Sequence, residues 1–238
     1  MRRAFRIVAG VLGVAAIGFN LPFAVGAFLG EADRIHRLHF VAGTLGSGVL
    51  LGVALIACAR RPEDLAPFWV AAATGVATTI GGLLSGDFIS GGYIAAAVVL
   101  VVLFVLHPER RSLFAIRGVD AATAVLAAVA VVPGVAYALT QAELQRNGVS
   151  SDPHVEFHHY SGMASYVLSL PLAAFAAALR VSGRRIAVWI VGVTGAGLGL
   201  ASLTLSDYAG AFDPVWAWLT LAWGVAFLAV GAFRRGSS

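Results

Sequence analysis

Long apolar stretches, broken by short links that carry arginine, glycine and proline, set the pattern of this 238-residue chain. About eight can be drawn, at 5–29, 38–59, 66–86, 90–107, 119–142, 154–180, 186–206 and 214–233. Each approaches the roughly 20 residues that cross a hydrocarbon core as helix. Backbone in hydrocarbon must satisfy its own hydrogen bonds, and the stretches lack the period-two alternation of a barrel strand, so they predict helices. Local chemistry marks several starts. Asp152-Pro153 and Asp213-Pro214 each pair an N-cap with a first-turn proline, and Asp120 can cap the fifth helix. Gly192, Gly195, Gly197 and Gly199, with Gly43 and Gly46, predict close helix approach.

The pattern repeats. His39 and Asp87 are 48 positions apart, as are His159 and Asp207, and the pairs are offset by 120. The same offset relates Trp69 to Trp189, Thr74-Gly75 to Thr194-Gly195, Arg60 to Arg180 and Phe88 to Tyr208. The expected fold is therefore an all-α integral membrane protein of eight transmembrane helices, built as two parallel four-helix repeats over 1–118 and 119–238. Arg2, Arg3 and Arg6 ahead of an apolar run look like a secretory leader. The run continues to about Gly30, longer than a leader core, and occupies the place of Ala121–Ala142 in the second repeat. It reads as a retained first helix.

Charge adds orientation. Only 12% of residues are charged, against about a quarter in soluble domains, and 59% are hydrophobic. All 16 basic residues are arginine. With the N-terminus inside, the links on that side hold Arg2, Arg3, Arg6, Arg60, Arg61, Arg110, Arg111, Arg117, Arg180, Arg184, Arg185, Arg234 and Arg235, and the opposite side holds Arg34, Arg37 and Arg146. Thirteen against three predicts a multi-pass protein of the plasma (inner) membrane with both termini cytoplasmic. The same distribution argues against nucleic acid as a partner. The lipid bilayer is the expected partner, with a membrane protein or a second copy of the chain as further candidates. A lone Cys58 excludes an intramolecular disulfide and a CxxC site.

The chemistry lies in the few polar groups. Folding each helix pair about its inner link, near positions 63 and 183, brings His39 level with Asp87 and His159 level with Asp207, towards the outer side. His36 precedes His39 by three residues, and Glu156 precedes His159 by three. Six residues are thus candidate metal ligands: His36, His39, Asp87, Glu156, His159 and Asp207. Imidazole suits Zn, Cu or Fe, and carboxylate adds charge. Alternatively, His39 and His159 are axial ligands to a haem held between the halves. A third reading makes each His–Asp pair a hydrogen-bonded clamp between two helices. His154 and His158 form a separate pair four residues apart.

Glu156-Phe157-His158-His159, followed by Gly162 and Pro171, resembles the start of a core helix in haem A synthases, and His36-Arg37-Leu38-His39 with Gly43 echoes it. That family has eight helices in two four-helix halves, with paired histidines towards the outer side. The resemblance implies a haem-binding role for His39 and His159. The family's further ligand positions read Ser90-Gly91-Gly92-Tyr93 and Asp213-Pro214-Val215-Trp216 in this chain, without histidine.

Three functions follow as expectations. The first is a redox or cofactor protein binding a transition metal or haem through its His/Asp cluster. The second is a membrane hydrolase with Zn-activated water. The third is a non-catalytic membrane partner or assembly subunit with His–Asp clamps. No phosphate-binding glycine loop or serine nucleophile is present in the pattern.

Overall fold

The computed structural model describes residues 1–29, 36–87 and 93–233. Glu31, Asp33, Arg34, Phe88, Ser90, Gly91, Gly92, Arg234 and Arg235 lie outside the described residues. Among the described residues the secondary structure is helical, with one isolated antiparallel bridge between Val119 and Leu179. The helices are α1 (Arg2–Leu29), α2 (Arg37–Gly43), α3 (Ala54–Arg60), α4 (Leu65–Leu84), α5 (Tyr93–Leu106), α6 (Ala121–Asn147), α7 (Pro153–Glu156), α8 (His159–Ala178), α9 (Arg184–Thr204) and α10 (Pro214–Phe233).

Among the described residues seven helices are long and apolar enough to cross a membrane; one of these is the continuous rod Arg37–Arg60. That rod joins α2 to α3 through a π-helical stretch, Thr44–Val53. The stretch is glycine-rich, and its glycines admit neighbours closely. A Cβ on Gly46 would stand 2.4 Å from the Tyr166 ring, and one on Gly52 would stand 3.0 Å from the Gly13 carbonyl oxygen. α5 is described over Tyr93–Leu106, and residues 90–92 of the expected 90–107 stretch lie outside the described residues.

The capping residues behave as their sequence implies. Asp120 accepts the Thr123 amide at 3.0 Å and Asp152 the His154 amide at 2.9 Å. Asp213 accepts the Val215 amide at 3.0 Å. The expected helix 154–180 is interrupted, however. His158 adopts φ 59°, a left-handed conformation that costs a non-glycine residue about 1–2 kcal/mol. The short α7 and the long α8 meet at that residue.

α8 is the most enclosed span, packed between α6 and α4 along most of its length. α9 pairs with α10, and α1 packs along the π stretch and α3. Contact between the chain halves runs through α4 on α8 and through α9 on the π stretch. α1, α6 and α10 leave most of their apolar surface exposed, including Val11, Val14, Phe19, Val125, Val132 and Trp218. Exposed apolar faces of this extent suit hydrocarbon, not water.

Polar links tie the arginine-rich end. Arg2 pairs with Glu63 at 2.7 Å and Arg184 with Asp120 at 3.1 Å. The Ser182 hydroxyl donates to the Glu63 carbonyl oxygen at 2.5 Å and accepts the Leu65 amide at 3.1 Å. Burial pushes the Asp64 carboxyl up, partly offset by Arg61.

A candidate imidazole site

At the opposite end four histidines converge from two segments. His36 precedes α2 and His39 lies in its first turn; His154 lies in α7 and His159 opens α8. The His39 and His159 rings stack at 4.9 Å between centroids and 18° between planes. His36 meets His159 edge-on at 4.5 Å, and His154 lies 4.9 Å from His39 and 5.4 Å from His36. His39 is only 5% exposed, yet neither of its ring nitrogens has a hydrogen-bond partner, and the His159 Nδ1 has none either. A buried polar atom without a partner costs about 1–3 kcal/mol, so the cluster is expensive as it stands.

The carboxylates take other positions. Asp87 is buried beside His158, not His39: its Oδ2 lies 2.8 Å from the His158 Nδ1 and accepts the Ser161 hydroxyl at 2.8 Å. The Tyr93 hydroxyl lies 2.5 Å from the Ser161 Oγ and extends this network. Equal distance from the inner link puts Asp87 at the right depth, but it does not set the direction of approach. α4 faces α8 along its length, so the acid is drawn to the partner on that helix. Asp207 is exposed, with the Ser206 hydroxyl at 3.4 Å, and Glu156 is exposed at the end of α7. Of the six expected ligands, then, His36, His39 and His159 come together, while Asp87, Glu156 and Asp207 stand apart.

The left-handed turn at His158 explains the sorting. Were the helix continuous from Pro153, His154 and His158 would share one face. The break turns His154 into the cluster and His158 towards Asp87. Asp152 holds His154 twice, through the backbone amide and through Nδ1 at 2.9 Å. Its other oxygen accepts the Tyr160 hydroxyl at 3.3 Å. Burial raises the Asp152 carboxyl, and the stronger combined pull of the His154 amide and imidazole leaves it below the usual aspartate range.

A turn covers the cluster. Gly210 has φ 79°, and a Cβ there would stand 3.4 Å from the His39 Nε2. The Tyr137 hydroxyl donates to the Gly210 carbonyl oxygen at 2.5 Å and anchors the turn. Gln145 joins α6 to the same end, donating to the Val155 carbonyl oxygen at 2.9 Å and accepting the Ser161 amide at 3.3 Å. Sequence reasoning passed over Gln141 and Gln145, though two amides four residues apart in an apolar helix were a usable signal.

Imidazoles are neutral borderline donors and fit Zn, Cu or Fe. Among the described residues no three His, Cys, Asp or Glu side chains stand ready-spaced around one ion. Ligation therefore requires the stacked rings to rotate their unbonded nitrogens towards a common point. A haem is a poorer fit between His39 and His159, because axial rings lie on opposite faces of a macrocycle and these rings touch. The chain matches no family model, no curated protein and no solved structure in the comparisons.

Proposed function

We propose that this is a polytopic membrane protein that binds a transition-metal ion through His36, His39, His154 and His159, in a redox or cofactor role. His39 carries the reading: an imidazole buried in a four-histidine cluster with both ring nitrogens unbonded. An ion would satisfy those nitrogens, and Asp152 would fix the tautomer of His154.

The same proposal takes the chain as eight spans in two parallel four-helix units, 1–118 and 119–238. Both termini are cytoplasmic in the plasma membrane. Its support is the arginine asymmetry and the paired contacts of α4 with α8 and α9 with the π stretch.

The test is metal content. Protein extracted in mild detergent and loaded separately with Zn2+, Cu2+ or Fe2+ is expected to retain one of them stoichiometrically after desalting. His39→Ala with His159→Ala is expected to abolish retention, and Glu156→Gln with Asp207→Asn to leave it intact. Retention of no ion by the wild-type chain would overturn the proposal and leave the imidazoles as packing groups of a non-catalytic partner.

A further inference from the structure

A cavity of about 590 Å3 lies between α6, α8 and α10, within the range of small-molecule sites. α6 packs along α8 and α10 along α9, while α6 and α10 touch only sparsely, so the cavity opens sideways between them. In a spanning bundle that opening faces hydrocarbon. Its wall is largely apolar and carries Tyr137, Phe212, Trp216 and Trp223.

The wall also carries the Asp213 carboxylate, an acceptor, and the Thr220 hydroxyl, which can donate or accept; its other polar groups lean towards accepting. Pro171 has no N–H, so the Val167 carbonyl loses its helical donor, and Pro133 does the same to the Val129 carbonyl. Val167 and Val129 both line the cavity. The Val167 oxygen faces Gly134 across the α6–α8 contact, 3.7 Å from where a Cβ would stand. Tyr137 spends its proton on Gly210, Thr140 on the Ala136 carbonyl oxygen and Trp223 on the Leu126 carbonyl oxygen. Lone pairs on Tyr137, Thr140 and the helix carbonyls remain. An aliphatic chain alone would leave these acceptors bare in hydrocarbon, where each costs several kcal/mol.

We propose that the cavity binds a membrane-soluble phenol: a hydroxyl-bearing aromatic ring on an apolar tail. The hydroxyl donates to the acceptors at Val167 and Tyr137. The ring packs against Phe212 and Trp216, and the tail leaves between α6 and α10. Tyr137 and Phe212 already meet edge-on at 4.8 Å, a geometry that a further ring can extend. The site is independent of an ion at the imidazoles.

The experiment uses the full chain in lipid nanodiscs with decyl-hydroquinone, kept reduced, as the probe. Its dimethyl ether and decanol are the comparators, and equilibrium dialysis is the readout. The hydroquinone is expected to bind saturably, one per chain. The ether, which has lost its donors, is expected to bind about tenfold more weakly. Ala130→Trp, filling the cavity, should weaken binding at least as much, while Ala128→Trp on the neighbouring exposed face leaves it unchanged. Leu219→Trp, on the α10 wall, gives the same reading if Ala130→Trp fails to fold. Equal affinity for hydroquinone and ether or decanol, or unchanged binding in the filled variants, would overturn the proposal.

Discussion

The two histidine-bearing segments start from matched sequence and end in different surroundings. Around His39 the chain is a continuous rod from Arg37 to Arg60. Around His159 it breaks at the left-handed His158. The matched acids diverge too: Asp87 is buried in a network with His158 and Ser161, and Asp207 is exposed. Equal spacing thus carried the imidazoles to one place and the acids to two. An imidazole tolerates burial while neutral, so both histidines can follow their helices inside. A buried carboxylate requires protein donors, which Asp87 meets inside the bundle, whereas Asp207 stays in the exposed turn beside the Ser206 hydroxyl.

The comparison breaks first at Asp87. Asp87→Ala removes the carboxylate beside the His158 imidazole and leaves the Ser161 hydroxyl only the His158 carbonyl oxygen at 2.9 Å, and the expected loss is about 1–3 kcal/mol. Thermal unfolding in detergent reads it, and a loss no larger than that of Asp207→Ala would remove the asymmetry claimed for the two acids.

His158 gives a finer test. His158→Ala keeps the left-handed backbone and loses the Asp87 contact; His158→Gly loses the contact but relieves the backbone. Glycine is expected to be the more stable by about 1 kcal/mol. Alanine equal to glycine would mean that the chain straightens into one helix when His158 is removed.

The smallest effect belongs to the exposed acids. Glu156→Gln and Asp207→Asn are expected to shift stability within about 0.5 kcal/mol. A larger change in either would show that its carboxylate is used in the folded chain.

The helices and their caps were legible because they follow from local properties. Apolar length, proline at the first turn and an acid before it act within a few residues, and Asp120, Asp152 and Asp213 cap as expected. The 120-residue offset paired His39 with His159 but left their convergence open, which the packing of α2 against α8 decided. The entry of His154 was not, because it depends on one backbone angle at His158, and a histidine in the left-handed region is not signalled by composition. Nor was the position of Asp87, which depends on the packing of α4 against α8.

Taken alone, the sequence determined that the chain is helical and apolar, that most arginines gather in alternate links, and that its histidines recur at fixed depth. Those properties are sums over neighbouring residues and need no partner. Tertiary structure alone decided which side chains share a site. Depth along a helix is fixed by counting residues, but the direction in which a side chain points depends on how helices rotate against one another. That rotation is set by close contacts such as Gly46 on Tyr166 and Gly81 on Ser165. Such contacts join residues far apart in the chain, and no local pattern records them.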